Sequence, residues 1–245
     1  MNILEADRLG KRFGRRWALS DCTLQIPSGR VVGLVGPNGA GKTTLLHLAV
    51  GLLSPTAGDI SVLGERPAAG PAQLERVGFV AQDTPTYRSM SVADHLRMGA
   101  WLNPRWDAEL ADRRIEALGI DRSQRAGRLS GGQRAQLALT LAVAKAPDLL
   151  ILDEPVASLD PLARREFLRG LAEIVAERGM SVVFSSHLVE DVERVCDHLV
   201  VLVGSRVQVA GDIGELLASH ELTGPGGLEE LVLSYMRAAE SGVAS

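Results

Sequence analysis

Residues 36–43, reading "GPNGAGKT", restrict the possible folds more than any other part of this 245-residue chain. They follow a short continuous apolar run, "VVGLV" at 31–35, and lead into the apolar run "TLLHLAVGLL". A chance glycine turn would need neither this spacing nor these neighbours. Strand, glycine loop and helix is the order in which the G-x-x-x-x-G-K-[ST] pattern works, so we predict an α/β fold built on a phosphate-binding loop.

Each fixed position of this loop has a chemical reason. Gly36, Gly39 and Gly41 free the backbone to turn several N–H groups inward as an anion nest, and the helix N-terminus adds positive potential. Lys42 supplies a charge to the outer phosphates, and the Thr43 hydroxyl can bind Mg²⁺. The loop therefore predicts a site for a nucleotide with its magnesium ion.

The remaining pattern alternates strand-like and helix-like segments. Predicted strands lie at 2–7, 17–26, 58–64, 76–82, 148–155 and 181–187, and a hairpin at 198–211 turns at Gly204 and Ser205. From about 89 to 145 the apolar period becomes helical. A further helix starts at Asp160 as N-cap with Pro161 next and ends at Gly179, and the chain after 212 is helical with a break at 224–227 and a frayed end.

Composition excludes several classes of protein. A formal charge of −4 argues against duplex nucleic acid as a partner, and we interpret the arginines at 12, 15 and 16 as a solvated face. The apolar runs are shorter than the ~20 residues of a membrane helix, and the first residues do not resemble a signal peptide. Cys22 and Cys196 lack the close spacing of a metal or redox pair, which favours two buried hydrophobic side chains.

Polar side chains follow three of the predicted strands. Asp153 and Glu154 end an apolar run at the sheet edge where α/β folds place ligands. Asp153 would steady Mg²⁺ through its water shell and Glu154 would polarise an attacking water, although an acidic pair after a strand can also be a turn and helix cap. His187 could reach the γ-phosphate, and Gln82 ends another strand; for each, an ordinary structural role is the alternative.

A second glycine loop, "LSGGQ" at 129–133, directly precedes a helix-like run. It places Ser130 and the N–H groups of Gly131 and Gly132 at a helix N-terminus, which makes a second anion site. The residues alone do not show whether this site meets the same nucleotide as the first loop.

With these motifs in this order, the chain from about 2 to 212 resembles the nucleotide-binding subunit of an ABC transporter. The resemblance implies a P-loop NTPase core at about 1–88 and 146–212 with an antiparallel β subdomain, an inserted helical subdomain at about 89–145, and a short helical extension at 213–245. It identifies "GPNGAGKT" as Walker A, "LSGGQ" as the signature, "LLILDEP" as Walker B, "ASLD" as the D-loop, Gln82 as the Q-loop and His187 as the switch histidine.

The resemblance also implies how the second loop is used. In that family two subunits pack head to tail, and each ATP lies between the Walker A loop of one and the signature of the other. The implied nucleotide-binding residues are Phe13, Gly36, Pro37, Asn38, Gly39, Ala40, Gly41, Lys42, Thr43, Thr44, Gln82, Ser130, Gly131, Gly132, Gln133 and Asp160. Glu154, His187 and Lys42 are the implied catalytic residues, and Thr43, Gln82 and Asp153 the implied Mg²⁺ ligands.

Two of these assignments have rivals within the sequence. Phe13 takes the place of the family's adenine-stacking aromatic, where tyrosine is common, and Trp17 is the second candidate. Asp160 would cross the dimer interface, a role compatible with its position as a helix N-cap.

The resemblance implies an ATPase at the cytoplasmic face of the membrane, paired with a separate transmembrane permease subunit and with a second copy or a paralogous ATPase subunit. "NPRWD" at 103–107, "LDPLARREF" and the short C-terminal extension are similar to bacterial exporter subunits of the ABC-2 group. An importer subunit and a soluble ABC ATPase such as an iron–sulfur assembly factor remain alternatives. A P-loop kinase would not need "LSGGQ".

Overall fold

A computed structural model describes residues 1–84, 86–224 and 226–242, with side chains described up to residue 239. Contacts divide the chain into two units, one of Met1–Ala69 with the segment from Ser181 onward, and one of Gly70–Met180. In chain order the elements are β1 (Asn2–Phe13), β2 (Arg16–Pro27), β3 (Val31–Val35), α1 (Lys42–Ala49), β4 (Ala57–Val62), α2 (Pro71–Arg76), β5 (Val77–Val80), α3 (Val92–Leu102), α4 (Ala108–Ala117), α5 (Gly131–Ala144), β6 (Leu149–Leu152), α6 (Pro161–Arg178), β7 (Ser181–Ser186), α7 (Val189–Val195), β8 (His198–Val203), β9 (Arg206–Asp212), α8 (Ile213–Ser219) and α9 (Gly227–Gly242).

The first unit contains an antiparallel sheet of β2, β1 and β4 in that order. Cys22, Leu24 and Ile26 alternate along β2 and are at most 3% exposed, as their spacing predicts. Both long strands extend beyond their predicted ends, because backbone pairing continues through polar residues as far as Phe13 opposite Arg16.

The same unit holds β3 between the parallel strands β7 and β8, with β9 antiparallel to β8. Every residue of β3 and β7 is buried, which is typical of parallel strands covered on both faces. The predicted turn between β8 and β9 is confirmed: Gly204 and Ser205 have φ values of 58° and 66°, as a two-residue hairpin loop requires.

The second unit combines the parallel pair β5–β6 with four longer helices. Val92, Ile115 and Leu137, all fully buried, join α3, α4 and α5 in one apolar core. Helix α6 starts and ends as predicted: Asp160 Oδ1 accepts from the N–H groups of Leu162 and Ala163, both at 3.0 Å, and Gly179 closes it with φ 61°.

The helical segment predicted at about 89–145 contains three α-helices and a 3₁₀ turn at Ala126–Arg128. The six-residue helix α2, with Pro71 in its first turn, was not predicted, because it is too short to show an apolar period. The predicted strand at 76–82 is shortened to the four residues of β5, because only these pair with β6, and Arg76 ends α2.

Two helices follow β9, as predicted. Leu228, Leu231 and Val232 of α9 are at most 1% exposed, so the apolar stripe expected there is a packing face. Fraying is predicted for residues 240–245; helix α9 reaches Gly242, and residues 243–245 lie outside the described residues, as does Pro225 in the predicted break. Within the described ranges, no helix combines the length and apolarity that crossing a bilayer demands.

Candidate phosphate-binding site

The loop between β3 and α1 needs glycine at three positions for different reasons. A Cβ built on Gly36 would lie 2.0 Å from the Leu202 carbonyl oxygen, so β8 passes too close for any side chain. Gly41, at φ 111°, would place a Cβ 2.4 Å from the Ala18 carbonyl oxygen. Gly39 has room but sits at φ 81°, a conformation that favours glycine. The loop therefore lies tightly against β8 of its own sheet at Gly36 and against β2 of the antiparallel sheet at Gly41.

Lys42 is folded back over this loop. Its side chain is buried, and Nζ donates hydrogen bonds to the carbonyl oxygens of Gly36 at 2.8 Å and Pro37 at 3.4 Å. Residues 37–39 at the loop apex and Thr43 are exposed. Helix α1 begins at Lys42 without a side-chain cap, so its first-turn N–H groups are directed toward the loop. A cradle with a positive helix end and a lysine suits an anion such as a phosphate chain.

His187 follows a strand next to this loop. Because Val35 of β3 pairs with Ser186 of β7 in parallel, Gly36 and His187 begin neighbouring connections at one edge of the sheet. The Ser186 hydroxyl donates to Asp191 Oδ2 at 2.9 Å and accepts from the Leu188 N–H at 3.0 Å, which fixes the turn. The side chain of His187 is exposed. Its predicted place is confirmed, and its role stays a prediction.

The hairpin joining β1 and β2 separates the two candidate aromatic residues. Phe13 pairs with Arg16 and the preceding residue pairs with Trp17, so Phe13 and Trp17 lie on opposite faces. Trp17 packs over Gly10, where a built Cβ would lie 2.9 Å from the indole ring. Phe13 is 51% exposed. The geometry favours Phe13 for stacking on a base, since Trp17 is less exposed, at 39%, and part of its ring packs over Gly10.

The sequence predicts that Arg12, Arg15 and Arg16 form a solvated face, and all three are exposed. Arg16 in addition lies beside the phosphate loop. Its Nη2 atom lies 3.7 Å from the position of a Cβ built on Gly39. The predicted solvated face is confirmed, and one of its arginines is close to the phosphate loop. No sequence pattern signals this proximity, because Arg16 and Gly39 lie 23 positions apart in the chain.

In the second unit, the acidic pair and Gln82 follow neighbouring strands. Val80 of β5 pairs with Leu152 of β6, and the Asp153 N–H donates to the Val80 carbonyl at 2.9 Å. Asp153 is 1% exposed, whereas Gln82 is exposed in the turn after β5. The prediction that these residues end strands at one sheet edge is confirmed within this unit.

Glu154 has a backbone conformation that the sequence did not indicate. Neighbouring residues on a strand point to opposite faces, but strand β6 ends at Leu152. This rule therefore does not decide where the carboxylates of Asp153 and Glu154 point. Glu154 has φ 43°, in the left-handed region. A non-glycine residue there costs about 1–3 kcal/mol and is found preferentially at functional sites.

The "LSGGQ" segment forms the start of α5. The Ser130 hydroxyl accepts from the Gln133 N–H at 3.1 Å, and Gln133 Oε1 accepts from the Ser130 N–H at 3.0 Å, so the two residues form a capping box. Ser130 and Gly131 are exposed. Gly132 lies against α6, where its Cβ would come within 2.8 Å of the Ala163 Cβ. The predicted helix N-terminus is confirmed.

The described residues contain no group of three or more His, Cys, Asp or Glu side chains placed to hold a metal ion. The three residues predicted as Mg²⁺ ligands, Thr43, Gln82 and Asp153, carry side-chain oxygens, the donor type that Mg²⁺ prefers.

Comparisons with known proteins identify the family. The ABC transporter family model matches residues 19–157. The chain is 36% identical over 223 residues to the sulfate/thiosulfate import ATP-binding protein CysA 2 of Rhizobium meliloti (strain 1021), covering 87% of this chain and 60% of that protein. It is 35% identical over 227 residues to the Nod factor export ATP-binding protein I of Cupriavidus pinatubonensis, covering 89% and 69%. The chain thus spans about 60% of the length of the sulfate/thiosulfate relatives.

A solved structure of the ATP binding subunit of an ABC transporter aligns with a TM-score of 0.83 at 30% identity, covering 95% of this chain and 99% of that one. The predicted class, a P-loop core with an antiparallel β subdomain and inserted helices, is confirmed by this likeness. With the family model covering more than half of its length, the chain belongs to the ABC transporter family.

Proposed function

We propose that this chain is the ATP-binding subunit of a transporter and that it hydrolyses ATP to drive a separate membrane subunit. The observation that carries this proposal is the loop at 36–43, where two glycines are forced by close backbone approach and Lys42 folds over the loop. Such a loop at the carboxyl end of a buried parallel strand is built for a phosphate chain.

The reaction transfers the γ-phosphoryl group of ATP to water. The water oxygen attacks the γ-phosphorus, the bond to the β-phosphate oxygen breaks, and ADP and phosphate form. Glu154 accepts a proton from the attacking water, while Lys42 and His187 stabilise the charge of the transferred group. The side-chain oxygens of Thr43, Gln82 and Asp153 are of the type that Mg²⁺ prefers, and the bound ion would neutralise charge on the outer phosphates.

The second glycine loop would complete the site of another copy. The capping box occupies the Ser130 N–H and leaves the hydroxyl proton of Ser130 able to donate outward. The first-turn N–H groups of Gly131 and Gly132 have no acceptor within the helix. In a head-to-tail dimer these donors would meet the γ-phosphate held by the opposite loop, and Asp160 at the start of α6 would cross the interface.

The membrane subunit and the direction of transport are the finer part of this proposal. We place the chain at the cytoplasmic face of the membrane beside a multi-span permease, and favour export from the "NPRWD" and "LDPLARREF" segments. Import is the second candidate, because the relatives named for sulfate/thiosulfate import are as similar in sequence as the one named for Nod factor export.

Purification from the native cell tests the proposal. A tagged chain is extracted with its membranes in mild detergent, and the co-purifying proteins are identified by mass spectrometry. We expect a multi-span protein without its own P-loop, and ATP hydrolysis that Lys42→Met abolishes while the exposed control Arg122→Met leaves it intact. Reproducible recovery of soluble partners alone would contradict the transporter assignment.

Transport by the purified complex then decides direction. In vesicles that expose the ATP-binding subunit on their outer surface, an exporter loads its cargo into the lumen when ATP is added. An importer empties a preloaded lumen under the same conditions.

A further inference from the structure

The Arg16 guanidinium lies against the phosphate loop. Its Nη2 atom is 3.7 Å from the position of a Cβ built on Gly39, which is ordinary van der Waals distance. Gly39 belongs to the exposed apex of the loop, and both residues lie in the unit that contains Met1–Ala69. The positive charge of Arg16 is therefore held beside the part of the loop that a ligand can reach.

The hairpin joining β1 and β2 also places Arg16 next to Phe13. The two residues are register partners, and directly opposed residues of antiparallel strands share one face of their sheet. Trp17 lies on the other face. A nucleotide that stacks its base on Phe13 and sets its phosphates in the loop at 36–43 thus has Arg16 beside both of its ends.

The side chain of Arg16 has no competing partner within the fold. Among residues 1–84, 86–224 and 226–239, it takes part in no hydrogen bond or ion pair. Two cations of the same hairpin are engaged: Lys11 Nζ donates to the Ser54 carbonyl at 2.7 Å, and the Arg12 guanidinium lies 5.4 Å from the centroid of the Trp17 ring. The N–H donors of Arg16 remain available to a ligand.

The charge inside the loop is already partly used. Lys42 Nζ donates to the carbonyl oxygens of Gly36 and Pro37, and a triphosphate brings several negative charges. A planar guanidinium offers paired N–H donors that match phosphate oxygens, and hydrogen bonds between charged groups are stronger than those between neutral ones. Arg16 is suited to add a second cation from outside the loop.

We propose that Arg16 is a further phosphate-binding residue of this site and that its guanidinium donates hydrogen bonds to the phosphate chain of the bound nucleotide. This role rests on the proposed function of the loop at 36–43. It assigns the hairpin two tasks, since Phe13 receives the base and Arg16 holds the phosphates.

Inorganic tripolyphosphate separates the phosphate chain from the base. Binding of ATP and of tripolyphosphate to the full chain is measured by isothermal titration calorimetry without Mg²⁺, so that hydrolysis does not interfere. Arg16→Gln should weaken both affinities roughly 10-fold, as the loss of a charged hydrogen bond does, and Arg16→Lys should recover part of each. Phe13→Ala should weaken ATP binding alone.

Arg15→Gln is the matched control, because it removes the same charge from the adjacent residue in the turn. It should bind both probes like the natural chain. Added salt should weaken tripolyphosphate binding less steeply in Arg16→Gln than in the natural chain, since one charge contact is missing. Urea unfolding should give Arg16→Gln the stability of the natural chain, because no hydrogen bond or ion pair is lost.

Three results would overturn the role of Arg16. Arg16→Gln could bind both probes like the natural chain, or Arg15→Gln could lose as much affinity, which would reduce the effect to net charge. Arg16→Gln could also weaken ATP but not tripolyphosphate, which would make it a support for Phe13. A natural chain that binds neither probe would remove the proposed nucleotide site and this role with it.

Discussion

Replacing Gly132 by alanine should displace the first turn of α5 from α6. The new Cβ would lie 2.8 Å from the Cβ of Ala163, closer than such atoms approach in proteins. Both atoms are fixed to helical backbone, so no rotamer change relieves the contact. Overpacking of this kind costs about 1–3 kcal/mol of unfolding free energy.

Gly131→Ala is the matched control. A Cβ at Gly131 would lie 3.9 Å from a Leu159 methyl group, an ordinary contact, and the residue is exposed. We expect the Gly131 variant to be as stable as the natural chain or more stable by up to about 1 kcal/mol. The two variants add the same methyl group at adjacent positions, so the difference between them measures the contact with Ala163.

Urea unfolding of the nucleotide-free chain provides the measurement, and the steady-state ATPase rate is recorded alongside. Gly132→Ala should lose both stability and activity, and a second substitution, Ala163→Gly, should recover part of the activity by removing the clashing atom. Equal stability of the two alanine variants, or no recovery in the double variant, would refute the packing argument.

Three further predictions concern backbone conformation, chemistry and pH. Gly41→Ala should lower the free energy of unfolding in urea by at least ~2 kcal/mol, because residue 41 has φ 111° and a β2 carbonyl oxygen lies 2.4 Å from the new Cβ. Gly39→Ala should lower it by only about 1 kcal/mol, since its Cβ has room. Glu154→Gln should lower the ATPase rate roughly 10²- to 10⁴-fold with ATP affinity retained, and unchanged hydrolysis would rule out the assigned role. Glu154→Gly should lower the rate as well, and it should raise the free energy of unfolding by about 1 kcal/mol because glycine relieves the strain at φ 43°. The Ser91 hydroxyl and N–H hold the pKa of Asp94 at about 2. Since this folded-state pKa is depressed, its contribution to stability is present above pH ~4 and is lost as pH falls through about 2. Carbon-detected NMR titration should show Ser91→Ala raising that pKa, and an unshifted titration would exclude the capping box as its cause.

Much of the fold was predictable, because strands and helices with buried faces leave a period in the sequence. The apolar runs at 31–35 and 149–152 became buried parallel strands, and the stripe at 228, 231 and 232 became a packed helix face. Helix α2 was not predictable in this way, since six residues with a proline start carry no period. The extension of β1 to Phe13 depends on pairing with β2, which polar residues do not signal.

The candidate site likewise has parts that the sequence predicts and parts that it does not. Spacing alone located the loop at 36–43 and the helix start at Ser130, because each uses local backbone geometry. Long-range contacts were not visible in the sequence: the approach of Leu202 to Gly36 and that of Ala163 to Gly132 each join distant segments. The left-handed conformation of Glu154 was equally hidden, as glutamate has no preference for it.

The most direct test of the central claim is the mass of the Glu154→Gln chain measured by light scattering with ATP and with ADP. Slow hydrolysis should trap the nucleotide between two copies, so the mass should double with ATP, remain that of one chain with ADP, and return to one chain with ATP when Ser130→Arg is added. A chain that binds ATP yet keeps the mass of one copy, or a dimer that Ser130→Arg does not affect, would contradict the shared nucleotide site.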